Sequence, residues 1–500
     1  MYALGIDSGT QGTKALVVEI ATGEVRGRGH APHVMIGGLE AGASEQAPDS
    51  WILALNKAMV EALKASGIDP QEIVSLGVSG QQHGFVPMGK DGRPVRPAKL
   101  WNDTSTVVET EIIIDRLGGK TKAIEKLGIC PAVGFTASKI LWLKRHEPSN
   151  YAKLTAVLLP HNFLNHYLTG KLHMEYGDAS GTGLMDVRNL SWSEEALSTI
   201  DSGLAALLPR LSHPKEPVGF IRPEVAAGLG LGKVLVSAGG GDNMMAAIGT
   251  GNVVPGVCTL SLGTSGTVYS YSPRPFIDPL GEIAAFCDST GGWLPLLCTM
   301  NVTNTTELFK SLQGLSNERL EELGGSVPPG AEGLFFLPFV DGERVPVLPS
   351  ASGVFFGLNR KTFDAAHMAR AVMEGTILDL GYGFARMRGL GLAPTEIRAT
   401  GGGAASLLWL QIVADVFKTP VVTLAEREAA AYGAALQSAW TYLDSKGESV
   451  KIEDIAGGRV KLDRLAAEPI PGNFELYEEK QARFNSLWSS LKEEFDRSRF

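Results

Sequence analysis

The chain has 500 residues, too many for one hydrophobic core, so two or three domains are expected. Hydrophobic residues make up 44% and charged residues 20%, the balance of a globular protein in water. A net charge of −9 without any long basic run argues against a nucleic-acid partner. No apolar run reaches the length of a membrane span, so no membrane partner is expected. Four cysteines, Cys130, Cys258, Cys287 and Cys298, form no C-x-x-C pair, which fits reduced thiols in a cytoplasmic setting. The N-terminus enters a strand pattern at once, with no basic and apolar leader ahead of it.

In chain order, the patterning predicts strands over 2–7 and 14–20, a turn at Ala21-Thr22-Gly23, and a third strand over 24–34. A helix over 51–65 follows, with Ile52, Leu55, Met59, Ala62 and Leu63 on one face. A buried strand over 73–79 comes next, and another over 234–238 runs into Gly239-Gly240-Gly241-Asp242-Asn243. The helix that opens there ends near Gly249 or Gly251, and Val254-Pro255-Gly256 is the expected linker, with a domain boundary near residue 250. Beyond it the grammar restarts: strands over 258–262, 267–271 and 293–300, and a long helix over 362–387. A strand over 396–400 meets Gly401-Gly402-Gly403, and a helix over 407–417, a strand over 421–424 and a helix over 429–442 follow. The last helix carries Phe484, Leu487, Trp488, Leu491 and Phe495 on one stripe, expected to pack against the body. A strand meander followed by alternating helices and strands predicts an α/β fold.

One pentapeptide pattern, Gly-Thr-x-Gly-Thr, occurs in both halves: Gly9-Thr10-Gln11-Gly12-Thr13, followed by Lys14, and Gly263-Thr264-Ser265-Gly266-Thr267. Each copy lies between two strand patterns, which suggests a duplicated domain with paired turns facing a common cleft. Such turns expose backbone N–H groups and short hydroxyls suited to phosphate oxygens. The alternative is a pair of ordinary hairpin turns. Asp7, at the end of the first strand, can hold Mg²⁺ through water, or serve only as an Asx-turn residue. Asp242 follows a strand and three glycines, where an α/β fold places ligands, and can take the proton of an attacking hydroxyl. It is equally suited to cap the helix that starts beside it.

Gln81-Gln82-His83-Gly84 and Trp101-Asn102-Asp103 each follow a short apolar run. Amides, an imidazole and a carboxylate beside an aromatic face suit a polyol. Gly401-Gly402-Gly403-Ala404 offers bare backbone for adenine or ribose, or forms a tight strand-to-helix turn. There is no G-x-x-x-x-G-K-[ST] loop, H-R-D or D-F-G motif, H-E-x-x-H, G-x-S-x-G or zinc spacing.

The chain resembles the FGGY carbohydrate kinase family. Two segments carry the resemblance: Gly134-Phe135-Thr136-Ala137-Ser138-Lys139-Ile140-Leu141-Trp142-Leu143-Lys144-Arg145-His146, and the stretch from Gly353-Val354-Phe355-Phe356-Gly357-Leu358 to His367-Met368-Ala369-Arg370-Ala371-Val372-Met373-Glu374. The resemblance implies two actin-like (ribonuclease H-like) domains, 1–250 on the sugar side and 251–500 on the ATP side. ATP and Mg²⁺ would lie in the cleft between them, which closes on substrate. It implies Asp242 as general base, Asp7 near the metal and Gly401, Gly402, Gly403 and Ala404 on the adenosine side. Gln82, His83, Gly84, Trp101, Asn102, Asp103, Asp242 and Asn243 are the implied sugar contacts. The implied reaction is ATP-dependent phosphorylation of a terminal hydroxyl on a small ketose, D-xylulose first, with ribulose, sedoheptulose and other polyols open. Many xylulose-phosphorylating members carry Met where Gln82 stands and Gly-Arg where Thr104-Ser105 stand. A homodimer is compatible with the family. The rival readings are an actin-like ATPase that moves a protein partner and a non-catalytic sugar sensor.

Overall fold

The structure, a computed structural model, describes residues 1–497. Compactness divides the chain into two units. The first comprises Met1–Val254, Tyr271–Leu294 and Glu428–Val460; the second comprises Pro255–Ser270, Pro295–Arg427 and Lys461–Phe500. The first unit therefore takes two stretches of chain from beyond residue 250.

In the first unit, strands Tyr2–Ser8, Gly12–Glu19 and Val25–Pro32 form an antiparallel meander. Ile73–Gly80 lies parallel to the first strand on its other side, and Leu235–Val236 lies parallel to Ile73–Gly80. Gly219–Phe220 closes that edge, antiparallel to Leu235–Val236. The two-residue period of a strand sends Leu4 and Ile6 to one face and Ala3 and Gly5 to the other. Leu4, Ile6, Leu76 and Val78 pack against Trp51, Leu55 and Met59 of the helix Pro48–Ser66. Pro48 opens that helix, where a missing N–H costs nothing, and Gly67 ends it at φ 65°. Ala3, Leu16 and Val18 instead meet Ala431, Ala435 and Ile248. Both faces of the sheet are thus covered by helices, the α/β arrangement that the patterning predicts.

The expected strand over 234–238 shortens to Leu235–Val236, although Ser237 N–H still donates to Leu76 O at 2.9 Å, and a side chain holds the turn that follows. Ser237 Oγ and Gly239 N–H both donate to Gln437 Oε1, at 3.0 and 2.9 Å. Gln437 lies on the helix Ala429–Ser445, which crosses the helix Asp242–Gly249 with almost no space between backbones. A Cβ on Gly433 would stand 1.8 Å from Met245 O, and one on Gly249 would stand 1.9 Å from Ala429 O.

The second unit repeats this plan. Strands Val257–Leu262, Gly266–Ser270 and Trp293–Thr299 form an antiparallel meander, the last pairing through residues 296–299. Glu396–Thr400 lies parallel to the first of these, and Val421–Leu424 parallel to Glu396–Thr400. Leu462–Ala467 then closes the edge antiparallel. Over these six strands, order and direction match the first unit, so the duplication suggested by the paired pentapeptides extends to the topology. Leu462–Ala467 escaped the patterning because four of its six residues are exposed and no apolar alternation marks it.

The long helix Ala365–Gly389 starts on Asp364, whose carboxylate accepts from the N–H groups of Ala366 and His367 at 2.9 Å. The C-terminal helix Phe474–Arg497 buries Phe484 and Phe495 against Phe339, Leu337 and Leu378, with Leu487, Trp488 and Leu491 alongside, as its stripe predicts. A buried charge cluster also pins it: Glu374 accepts from Arg370 Nε at 2.7 Å and Tyr477 Oη at 2.9 Å, with Lys480 Nζ at 3.2 Å. Among the described residues no helix is long and apolar enough to cross a membrane.

Candidate active site

In the first unit, strand register brings the two aspartates to one sheet end. Asp7 pairs with Ser79, and Ser79 pairs with Gly240, two residues before Asp242. Asp7 is held inside the ladder, and its Oδ1 accepts the Ser79 hydroxyl at 2.8 Å, so it is no Asx-turn residue. The helix Asp242–Gly249 has Gly241 at its cap position and no side-chain cap, so Asp242 opens the first turn rather than capping it. Its Oδ1 accepts from Asn243 N–H at 2.8 Å. Both carboxylates are half-buried. Burial pushes the Asp242 carboxyl up to about 7, and the charge of Asp7 adds to the rise. Burial raises Asp7 as well, opposed by the Ser79 hydrogen bond and by Lys14. Lys14 is itself paired with Glu428.

The first Gly-Thr turn spans the strand pair Ser8 and Thr13, closed by Gly9 N–H to Gly12 O at 3.0 Å. A chain of hydrogen bonds ties it to both sugar-side clusters. Trp101 Nε1–H donates to Thr10 Oγ1 at 2.9 Å, and the Thr10 hydroxyl donates to Gln81 Oε1 at 3.1 Å. Gln46 Nε2 holds Thr10 O at 2.8 Å while its Oε1 accepts from Trp51 and Gln81. His33 bridges Gly9 O and Thr13 Oγ1, at 3.0 and 2.8 Å. Gln82 Oε1 accepts from Asn243 Nδ2 at 2.7 Å, next to Asp242. Gln82 Nε2 is a buried donor with no acceptor among the described residues. Gly84 packs on Pro160, where a Cβ would stand 2.5 Å from Cγ.

The two residues after Trp101 differ in exposure. Asn102 is exposed, whereas Asp103 is fully buried. The Asp103 oxygens are taken by Ser44 N–H, the Lys99 ammonium, and the N–H and hydroxyl of Ser105. That places Asp103 behind Trp101 as a loop anchor.

In the second unit, Gly263-Thr264-Ser265-Gly266-Thr267 joins two paired strands, with Gly263 N–H on Ser265 O at 3.2 Å. The Gly401-Gly402-Gly403-Ala404 segment lies against it. Gly401 has φ 83° and would put a Cβ 2.6 Å from Leu262 O, while Gly403 abuts the Leu262 side chain. Gly402 is exposed and has nothing within 4 Å of a Cβ position.

Ser79, Gln46 and His33 escaped the sequence reading, being single polar residues whose use appears only once strands and loops assemble. No three His, Cys, Asp or Glu among the described residues form a metal cluster. The site fits instead a hard cation held mainly by water and phosphate, because Asp7 and Asp242 carry mutually unfavourable charge that a cation relieves.

Comparison with known proteins identifies the family. Residues 2–249 match the N-terminal domain of the FGGY family of carbohydrate kinases, and residues 258–442 match its C-terminal domain. The xylulose kinase of Haemophilus influenzae is 44% identical over 447 residues, covering 88% of this chain and 90% of that protein. The crystal structure of a xyloylose kinase from Brucella ovis superposes with TM-score 0.91 at 29% identity, covering 98% of this chain and 99% of that one. That of xylulose kinase from Bifidobacterium adolescentis gives 0.83 at 29% identity, over 96% and 99%. With matches across both halves, the two-unit α/β protein belongs to the FGGY family of carbohydrate kinases.

Proposed function

We propose that the protein transfers the γ-phosphoryl group of ATP to the terminal O5 hydroxyl of D-xylulose. The observation that carries this reading is Asp242, with its raised pKa, brought to the same sheet end as Asp7 by the pairing of both strands with Ser79. The relatives named xylulose kinase supply the sugar. In this reading the first unit takes the sugar: Gln82, His83, Gly84 and Asn243 bond its hydroxyls, and Trp101 and Asn102 flank it with Asp103 as support. The second unit takes the nucleoside on Gly401, Gly402, Gly403 and Ala404. The turns Gly9 to Thr13, with Lys14, and Gly263 to Thr267 hold phosphate oxygens. Asp7 would hold Mg²⁺ through water, and the ion would offset phosphate charge.

Asp242 orients the attacking hydroxyl and accepts its proton. A base near 7 is matched to an alcohol at neutral pH, because it is deprotonated often enough yet keeps affinity for the proton. Positioning supplies most of the remaining acceleration. The test is ADP release with and without D-xylulose, ribulose, sedoheptulose and other polyols. The proposal expects release that depends on sugar and is fastest with D-xylulose. Release independent of sugar means an ATPase; sugar binding with no release means a sensor.

A further inference from the structure

The family segment 134–146 supplies none of the sugar contacts above, yet three of its residues, Phe135, Thr136 and Lys139, converge on His83. His83 has φ 62°, a left-handed conformation uncommon outside glycine. Its carbonyl oxygen accepts from Lys139 Nζ at 2.7 Å and from Thr136 Oγ1 at 3.2 Å. Lys139 also donates to Gly134 O, and neither its side chain nor that of Thr136 has any measurable exposure. The His83 ring stacks on Phe135 at 4.6 Å and leans on Phe286 at 5.5 Å. Gly181 closes the remaining side, where a Cβ would stand 2.4 Å from ring atoms.

Lys139 is unusual for a buried lysine. Both of its hydrogen bonds go to main-chain carbonyls rather than to a carboxylate. Burial lowers its ammonium to about 7, with Asp103 opposing and Lys99 adding to the fall. A neutral amine still has two N–H groups for two carbonyls, so the grip does not depend on the charge. A group placed at this desolvation cost, with no ion pair to repay it, fixes geometry.

We infer that Lys139 is a positioning residue for sugar recognition: it locks the His83 backbone in the left-handed conformation that aims the imidazole at substrate. The inference rests on His83 being a sugar contact. It predicts that the 134–146 segment acts on sugar affinity alone.

The experiment is steady-state kinetics on full-length Lys139→Met, His83→Ala and the double variant, with D-xylulose and ATP varied separately. Each single variant should raise the sugar KM about tenfold or more and leave the ATP KM within about twofold. The double variant should match His83→Ala within about twofold, because the lysine acts only through the histidine. If His83→Ala alone leaves the sugar KM unchanged, the sugar-contact reading fails and the inference with it. If His83→Ala raises it but Lys139→Met does not, or the effects multiply in the double variant, the inference alone is overturned. Should Lys139→Met not fold, Thr136→Val removes the other donor to the same oxygen without touching a charge. A smaller rise in sugar KM, about threefold, is then expected, and none would overturn the inference.

Discussion

At the scale of single residues, Asp242 gives the most direct expectation. Its carboxyl stands near 7 because of burial first and Asp7 second. A general base works deprotonated, so kcat/KM for the sugar should fall as pH drops below about 7. Asp7→Asn removes the second cause. Whatever activity that variant retains, its acid limb should move to lower pH, and a limb that stays in place contradicts the coupling. A second carboxyl pair lies in the other unit, where Asp379 is buried beside Glu343 and both are raised. Here the folded state keeps a proton that the unfolded chain loses above the ordinary carboxylate range. The stability so contributed is full below that range and is lost as pH rises toward the folded value. Asp379→Asn should therefore gain on the natural protein in thermal melts between about pH 5 and pH 8; a gap independent of pH contradicts the shift. Much of this was legible in the sequence as residue types after strands. Their partners were not: Ser79 is ordinary until register sets it opposite Asp7, and nothing in the sequence ties the Asp103 carboxylate to Lys99 and Ser105.

At the scale of elements, helix positions follow from apolar spacing, while helix contacts depend on what is absent. Gly249 and Gly433 let two helices meet at backbone distance, and a methyl at 433 has no space to enter. Gly433→Ala should destabilise the first unit by about 3 kcal/mol, the upper range for overpacking, measurable by denaturant titration. A change under about 0.5 kcal/mol contradicts that packing. The C-terminal helix depends on charge as well as on its apolar stripe. Glu374→Ala leaves Arg370 and Lys480 buried without their counter-ion, which costs about 3–5 kcal/mol. Past the strand over 234–238, nothing in the sequence announces that Gln437, two hundred residues on, holds the Ser237 hydroxyl and the Gly239 N–H.

At the scale of the molecule, two copies of one topology were foreshadowed by two copies of a pentapeptide, because each turn joins the first two strands of its sheet. The return of residues 428–460 to the first unit was not foreshadowed, since a helix pattern does not name the sheet it covers. The family determines the class of reaction, and the relatives point to the sugar. The central claim is that one carboxylate turns this scaffold into a phosphoryl transferase. Measuring D-xylulose-dependent ADP release by Asp242→Ala, with ATP binding and folding checked in the same sample, tests it directly. The account predicts a folded protein that binds ATP as before and turns over about 10²–10⁴-fold more slowly; a folded variant with near-normal turnover would contradict it.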